Sequence, residues 1–351
     1  MKLGIIGLEK SGKTTVFNAL TGSDKAVDSF GKIEANIAVV KVPDIRLDWL
    51  SELYEPKKTV HTSIQFVDIP GSINDSSDPK IVAAAREVDA LIFVVRTFED
   101  PEVIHPEGSI DPVRDYHQIR TGLTLADMLI AEKRMEKLGK SVSKNIATSD
   151  EKTEYEVLKK IMAVLEDDKP ATEAGLSEQE EKAVRSFQFL TLKPVMSIIN
   201  ISDNELDSEK NRSFEKQIPD CMTVCANIET EILKLDEADR EDFLRDIGLE
   251  EPSINPFIRK AYSTLGLISF FTVGKDEVRA WTINSGLKAP QAAGKIHTDL
   301  ERGFIRAEVF SFKDLKEAGS ERELKKTGKI RLEGKEYIVR DGDILNIKFS
   351  V

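Results

Sequence analysis

The sequence contains little cysteine, because only Cys221 and Cys225 carry thiols in 351 residues and no cluster of histidines or cysteines lies near them. Two cysteines four positions apart supply neither a disulfide framework nor the spacing of a zinc site. Long apolar runs are missing as well: no stretch approaches the ~20 apolar residues that cross a bilayer, and the N-terminal run is shorter than the core of a signal peptide. We therefore expect buried thiols, no membrane partner and a cytoplasmic location.

Basic charge is not in excess, since 50 Lys and Arg stand against 62 Asp and Glu, for a formal net charge of −12. Nonspecific polyanion binders usually carry a basic excess that displaces counterions from phosphates. We expect no sequence-specific binding of DNA, whereas a local basic face for RNA is compatible with this balance. With 40% hydrophobic residues and 20 Gly, the chain is long and apolar enough for two or three folded domains.

Short apolar runs alternate with helical patterns in the first part of the chain. The run at 2–6 leads into Gly7 and a helix at 14–21, and further strands are predicted at 39–42, 63–67, 90–95 and 195–200. Apolar runs bounded by charges are typical of a parallel sheet that is buried on both faces. The sequence thus predicts an α/β fold, a doubly wound and mostly parallel sheet, for a nucleotide-binding domain over 1–114 and 191–266.

Long amphipathic helices are predicted between these two segments. Residues 115–190 carry helical apolar spacing around a polar stretch at 141–153, which indicates an inserted helical hairpin, or arm, with an exposed tip. Two surface helices with no role beyond packing are the alternative. From 267 to 351 the pattern changes to short strands at 268–273, 279–283, 304–310, 336–339 and 343–349 and one helix near 291–300, which predicts a small α+β domain.

Residues 7–14 match the phosphate-binding pattern G-x-x-x-x-G-K-[ST] in full, between a predicted strand and a predicted helix. The glycines let backbone N–H groups face phosphate oxygens, and the helix N-terminus adds its positive end. In this pattern Lys13 reaches the β and γ phosphates and the Thr14 hydroxyl binds Mg²⁺. A glycine-rich turn without a ligand is the alternative, and the flanking strand and helix argue against it.

Two further loops have the chemistry of a nucleotide site. Asp68 ends a predicted strand and can hold Mg²⁺ through water, while Gly71 can offer its N–H to the γ-phosphate. Later in the chain, Asn200-Ile201-Ser202-Asp203 has the form N-x-x-D where guanine-specific switches have N-K-x-D, and Cys225-Ala226-Asn227 fits a short loop of backbone donors near the base. Incidental turns and ordinary loop chemistry are the alternatives for both segments.

Three segments of the last third carry a family resemblance: EVRAWTI at 277–283, APQAAGKIHTD at 289–299 and YIVRDGD at 337–343. With them, the chain resembles the YchF or Obg-like ATPase family over essentially its whole length. The resemblance implies a P-loop domain, an inserted helical arm and a C-terminal TGS domain, which is ubiquitin-like. It also implies a preference for ATP over GTP and an association with ribosomes and RNA, with the large ribosomal subunit as the expected partner.

The chain departs from this family's pattern in its nucleotide loops. Glu9-Lys10 stands in place of Pro-Asn, Lys32 in place of a switch threonine, 72–75 in place of a longer glycine-rich switch, and Asp203 in place of Glu. Ser72 is too short to orient an attacking water as a glutamine does. The ammonium of Lys10 could supply the positive charge that potassium gives in related switches, although a solvated lysine is the alternative. The changes at Ser72, Lys32 and Lys10 together predict very slow hydrolysis.

We therefore expect a Mg²⁺-dependent molecular switch that binds and slowly hydrolyses ATP, or GTP, and associates with ribosomes or RNA. A nearly inert nucleotide-binding module on the same partners is a second hypothesis. A P-loop kinase is a third, but no acceptor site or Arg-rich lid is visible. Lys295, His297, Arg302 and Arg306 could face RNA or be solvated charges. The candidate nucleotide-binding residues are Gly7, Glu9, Lys10, Ser11, Gly12, Lys13, Thr14, Thr15, Gly71, Asn200, Ile201, Asp203, Cys225, Ala226 and Asn227, with Lys13 and Lys10 in catalysis and Thr14 and Asp68 on the metal.

Overall fold

The structure is a computed structural model that describes residues 1–23, 35–72, 78–205 and 209–350, without the side chain of residue 210. Lys32 and positions 73–75 of the predicted switches lie outside the described residues. In chain order, the strands of the described part are β1 (Lys2–Gly7), β2 (Asn36–Lys41), β3 (Lys58–Val60), β4 (Ser63–Asp68), β5 (Ala90–Arg96), β6 (Val195–Asn200), β7 (Cys221–Val224), β8 (Leu267–Thr272), β9 (Glu277–Asn284), β10 (Phe304–Ser311), β11 (Arg331–Glu333) and β12 (Asp343–Phe349).

The helices of the described part are α1 (Lys13–Thr21), α2 (Ile45–Tyr54), α3 (Pro79–Arg86), α4 (Pro112–Ser143), α5 (Ser149–Glu166), α6 (Glu178–Val184), α7 (Glu209–Glu215), α8 (Ala226–Ile232), α9 (Glu237–Asp246), α10 (Ile254–Thr264), α11 (Ala289–Ile296), α12 (Thr298–Arg302), α13 (Phe312–Ala318) and α14 (Glu321–Lys326). Short 3-10 turns cover Ala171–Ala174, Arg185–Phe187, Leu190–Leu192 and Asp203–Glu205. None of the helices in these ranges combines the length and the apolar character needed to cross a membrane.

The chain forms two compact units, and the first comprises Met1–Val39 and Gln65–Ile254. Its sheet has the strand order β2-β4-β1-β5-β6-β7, with parallel pairing from β4 through to β7. Every residue of β5 is buried, as expected for a central parallel strand covered on both faces. The predicted doubly wound sheet is confirmed. Its parallel strands end at one edge, where a ligand of such a sheet binds.

Helices α4 and α5 form the predicted hairpin. A capping box of Thr148 and Glu151 starts α5, and Arg134 of α4 contacts both carboxylate oxygens of Glu154, at 2.6 and 2.8 Å. The first part of α4 behaves differently, because its buried residues as far as Ala126 belong to the hydrophobic core of the sheet. The separate core of the hairpin begins at Ala131. Only the later part of α4 therefore packs as an arm.

The second unit comprises Val40–Ile64 and Asn255–Val351. Its sheet has the order β11-β10-β12-β8-β9-β3, and β3 pairs in parallel with β9. Leu47 and Leu50 of α2 are fully buried in the same cluster as Phe271 and Val278. Residues 40–64, which the sequence assigns to the nucleotide domain, thus complete the sheet and core of the C-terminal unit.

Several sequence predictions for the C-terminal unit need correction. Residues 336–339 are not a strand: they form a single bridge between Lys288 and Ile338, because their backbone bonds the loop before α11, with the Val339 N–H donating to the Leu287 carbonyl at 3.0 Å. The strand lies earlier, at β11. The single helix expected near 291–300 is two helices, α11 and α12, and α13 and α14 were not predicted. Of the two free thiols, Cys225 is buried and Cys221 is only half-buried.

Candidate nucleotide-binding site

The phosphate-binding loop joins the buried strand β1 to α1. Leu8 is 1% exposed and anchors the loop in the core, whereas Glu9 and Lys10 are exposed. Gly12 precedes α1 with φ 89°, and a Cβ there would lie 2.3 Å from the Asn200 amide nitrogen, so the position needs glycine. Among the described residues, no side chain caps this end of the helix by a hydrogen bond. The helix N-terminus therefore keeps its positive end for an anion.

Lys13 is held inside this loop. Its side chain is buried, and the ammonium donates to the carbonyls of Gly7 at 3.1 Å and Leu8 at 2.7 Å. Burial lowers the pKa of Lys13 from 10.5 to about 8, against the attraction of Asp68 and Glu9. A polyphosphate would supply the negative charge that this buried ammonium lacks. The buried Ser11 hydroxyl next to it finds no hydrogen-bond partner within the described residues.

Thr14 and Asp68 come together from α1 and from the end of β4. The Thr14 hydroxyl donates to Asp68 Oδ2 at 3.0 Å, and Asp68 is 4% exposed. Burial raises the pKa of Asp68, while the Thr14 hydrogen bond and the charge of Lys13 oppose the rise. No group of three or more His, Cys, Asp or Glu with metal-binding geometry occurs among the described residues. One hydroxyl and one carboxylate fit Mg²⁺, which takes few protein ligands and completes its shell with water and phosphate oxygens.

Gly71 lies three residues beyond Asp68 and begins the approach to α3. Its φ is 93°, and a Cβ at this position would come within 2.4 Å of Ile81 Cδ1. The close contact with α3 therefore requires glycine.

Asn200 connects the phosphate loop with the two segments predicted to lie near the base, 200–203 and 225–227, which we call the base loops. Its amide nitrogen donates to the Ser11 carbonyl at 3.2 Å, and its amide oxygen accepts from the Ala226 N–H at 3.3 Å. Ile201, the next residue, is buried. The structure thus brings three separately predicted segments together through one side chain.

Asp203 and Cys225 form a second contact between the base loops. Cys225 precedes α8, and its thiol donates to Asp203 Oδ1 at 3.1 Å. Burial raises the pKa of Cys225 to about 12, and Asp203 also raises it. Asp203 and Asn227 are exposed. Thr15 is half-buried in the first turn of α1, among the other predicted residues.

The sequence prediction missed Arg96 and Phe98, which border the phosphate loop. Arg96 ends β5 and is 2% exposed; its Nε donates to the Phe98 carbonyl at 2.9 Å, and its guanidinium lies 4.3 Å from the centre of the Phe98 ring. That ring would be 3.7 Å from a Cβ on Gly12. An arginine at the end of an otherwise apolar buried strand was the signal available in the sequence.

Comparisons with known proteins agree with this geometry. Residues 2–131 match the family model MMR_HSR1, described as 50S ribosome-binding GTPase, and residues 267–350 match YchF-GTPase_C, described as a protein of unknown function (DUF933). The chain is 40% identical to the ribosome-binding ATPase YchF of Bacillus subtilis, with 99% of each chain covered. It is 39% identical to Obg-like ATPase 1 of Oryza sativa subsp. japonica, covering 100% of this chain and 92% of the relative.

The chain belongs to the YchF family. The structure of the Schizosaccharomyces pombe YchF GTPase is similar to it, with a TM-score of 0.85, 32% identity and coverage of 99% of this chain and 97% of that one. The family resemblance inferred from the sequence is confirmed, and so is the fold class. Membership of the YchF family makes this chain a P-loop nucleoside triphosphatase.

Proposed function

We propose that this YchF-family chain is a Mg²⁺-dependent molecular switch that binds and slowly hydrolyses ATP and associates with the ribosome. The observation that carries the proposal is the contact of Thr14 with Asp68 beside the buried ammonium of Lys13. Lys13 and Thr14 begin α1 and Asp68 ends β4, so all three groups lie where a doubly wound sheet binds its ligand.

The residues have separate tasks in this proposal. Lys13 leaves the carbonyls of its own loop to contact the β and γ phosphates, and the amides at the start of α1 hold the phosphate oxygens. Thr14 would hold Mg²⁺ through its hydroxyl and Asp68 would hold it through water. Bound there, the ion would supply positive charge beside the phosphates. Gly71 offers its N–H to the γ-phosphate. Loss of that phosphate would then change the contact between Gly71 and Ile81 of α3.

ATP is the proposed nucleotide because the base loop lacks a guanine-specific lysine. Ile201 occupies that position and is buried, so this position supplies no lysine stem to cover the base. The relatives in Bacillus subtilis and rice are both named as ATPases. GTP remains a second substrate. A competition assay in which GTP displaces a labelled nucleotide about a hundredfold better than ATP, roughly 2.7 kcal/mol, would contradict this assignment.

Hydrolysis is proposed to be slow, and Lys10 is the residue to test. It is exposed in the phosphate loop with φ 58°, a left-handed backbone that non-glycine residues adopt at some cost. If its ammonium replaces a monovalent cation, activity is the same in K⁺ and Na⁺, and Lys10→Ala lowers the hydrolysis rate far more than the affinity. Strong stimulation by potassium would remove this role.

The ribosome is the proposed partner, with its large subunit and RNA as the contact. The bacterial relative is named as ribosome-binding, and the model matching 2–131 is described as a 50S ribosome-binding GTPase. The exposed tip of the α4–α5 hairpin and the exposed basic residues of the second unit are candidate contact surfaces: Lys295, His297, Arg302 and Arg306. With this role we also propose a cytoplasmic location.

Single-turnover release of phosphate from Mg·ATP, with and without ribosomes, tests the proposal. We expect slow release that ribosomes change, and no release from Lys13→Ala, which leaves the triphosphate charge uncompensated. Lys140→Ala, on the exposed arm, is the matched loss of one ammonium and leaves release in the absence of ribosomes intact. Tight ATP binding without release under either condition would instead favour the nearly inert module. Unchanged ATP binding by Lys13→Ala in calorimetry would remove the phosphate-loop assignment.

A further inference from the structure

The two base loops are joined by a thiol as well as by Asn200. Cys225 is 3% exposed and donates to Asp203 Oδ1 at 3.1 Å, while Asp203 itself is exposed. One carboxylate oxygen is thus engaged by the protein at the position where N-x-x-D loops contact the base. This contact is independent of the Asn200 bridge, which uses the Ser11 carbonyl and the Ala226 N–H.

Cys225 is a hydrogen-bond donor at neutral pH. Its burial raises the pKa of the thiol to about 12, and the adjacent Asp203 carboxylate acts in the same direction, although the N–H groups of Asn227 and Ile228 oppose them. The group therefore keeps its proton. A thiol is a weak donor, but a carboxylate is a strong acceptor. Because the sulfur is buried, little water can compete for the contact.

The two purines make opposite demands on a carboxylate in this loop. Guanine presents two donors side by side, N1–H and the amino group on C2, and it can use both carboxylate oxygens. Adenine has an acceptor at N1 and no amino group on C2, so a carboxylate facing that edge repels it. An Asp203 side chain that is free to turn towards the base favours guanine and disfavours adenine.

We propose that the Cys225 thiol sets the base preference of this site by holding the Asp203 carboxylate in place, so that it cannot give both oxygens to guanine. Cys225 is then a positioning residue, and Asp203 is the group through which it acts. The inference rests on the proposed function, because it requires that this loop receives the base.

The test is calorimetry on the full chain with Mg·ADP and Mg·GDP, which cannot be hydrolysed during the measurement. Cys225→Ala releases Asp203, so the ratio Kd(GDP)/Kd(ADP) should fall about tenfold, the size expected for one hydrogen bond to a charged group. The gain should come mainly from tighter GDP binding, which general damage to the fold would not produce. Cys225→Ser keeps a donor and should keep the original ratio. Cys221→Ala is the matched control, because that half-buried thiol bonds the Glu215 carbonyl instead.

A second variant separates this mechanism from a change in packing. Asp203→Ala removes the carboxylate from an exposed position, so it should fold, and in its presence Cys225→Ala should no longer alter the ratio. An unchanged ratio in Cys225→Ala, or the same fall in the Asp203→Ala background, overturns the inference while the proposed function stands. Failure of the unmodified chain to bind either nucleotide overturns both.

Discussion

The Asn200 side chain lies so close to Gly12 that it leaves no room for a Cβ there. Its amide nitrogen bonds the Ser11 carbonyl at 3.2 Å, so it lies against the backbone of the phosphate loop. The sequence marks Gly12 as part of a phosphate-binding pattern, but the reason for glycine here is the approach of a residue far away in the chain. The phosphate loop and the base loop are therefore fitted to each other.

Gly12→Ala should abolish nucleotide binding, because its Cβ would lie 2.3 Å from the Asn200 nitrogen and force the loops apart. Gly22→Ala is the control: it has φ 64°, but no atom of the described residues lies within 4 Å of an added Cβ, so it carries the backbone cost of about 1 kcal/mol. Calorimetry with Mg·ATP should show loss of binding in the first variant and unchanged affinity in the second. Equal affinities would show that the loops can separate without consequence.

The site residues that could be predicted from sequence are those fixed by local spacing. Lys13 and Thr14 follow from one contiguous pattern, and Asp68 follows from its place at the end of a strand. The contacts of Asn200, and the approach of Phe98 to Gly12, could not be predicted, because they depend on which strands are neighbours in the sheet. The bond between Cys225 and Asp203 could not be predicted either, since it requires the exact course of two loops.

The base of the arm is fixed by a buried carboxylate. Asp127 of α4 is fully buried and accepts from the backbone N–H groups of Leu190 and Thr191, at 3.0 and 2.8 Å, and from the Thr191 hydroxyl at 2.8 Å. Arg86, the last residue of α3, contacts the same carboxylate at 3.0 Å. It also donates to the carbonyls of Phe187 and Gln188, both at 2.9 Å. Helix α3, which contacts Gly71 through Ile81, thus ends against residues 187–191, where the chain returns from the arm.

Asp127→Ala should lower the free energy of unfolding by about 3 to 5 kcal/mol, because it leaves the half-buried Arg86 without its counter-charge and two backbone N–H groups without their acceptor. Thr191→Val removes one donor to the same carboxylate and should cost about 1 kcal/mol. Urea denaturation of the two variants measures the difference. Similar, small losses in both would mean that water replaces the carboxylate at this position.

A second prediction for the base of the arm concerns pH. Lys193 donates to the carbonyls of Arg86, at 2.7 Å, and Val88, and burial lowers its pKa from 10.5 to about 8, against the attraction of Asp89 and Asp127. Between these two values the unfolded chain binds more protons at Lys193 than the folded chain does. The contribution of this residue to the free energy of unfolding therefore rises as pH increases from about 8 to 10.5.

Lys193→Met lacks this titration, so the difference in the free energy of unfolding between the unmodified protein and the variant should grow in favour of the unmodified protein across the same pH range. Urea denaturation below pH 8 and near pH 10 provides the comparison. Lys13, whose pKa is also about 8, is present in both proteins and cancels in the difference. A difference that stays constant with pH would contradict the lowered pKa.

The second unit is not formed by consecutive residues, and this changes what a truncation does. Removing 267–351 uncovers Leu47 and Leu50, which are fully buried against that segment. Each loses roughly 1.5 to 3 kcal/mol of burial. We expect the truncated chain to unfold at a lower temperature than the complete chain and to associate, as seen by thermal melting and sedimentation velocity.

Leu47→Lys with Leu50→Lys should make the truncated chain monomeric, whereas the same pair should destabilise the complete protein, where both leucines are covered. A truncated chain that is monomeric without these changes would show that another part of the chain buries Leu47 and Leu50. Ribosome binding by the second unit is therefore better tested with surface variants, such as Lys295→Ala and Arg306→Ala, than by deletion.

The parallel sheet could be predicted because its strands are apolar runs that alternate with helices. The composition of the second sheet could not. Its edge strand β3 has only three residues and pairs with Glu277–Arg279 across more than half of the chain. Nothing local marks Lys58–Val60 as the neighbour of that strand, because β pairing is decided by the tertiary arrangement and not by a local propensity.

The shared second unit also has a consequence for biosynthesis. Residues 40–64 emerge early, but the strands that cover α2 begin only at Leu267. At the usual speed of translation the roughly 200 residues in between take on the order of 10 to 40 s. During that time the parallel sheet can start to form, but the strands that bury the apolar face of α2 have not yet been synthesised. A nascent chain paused before Leu267 should therefore expose a hydrophobic helix to chaperones, and completion of the chain should bury it.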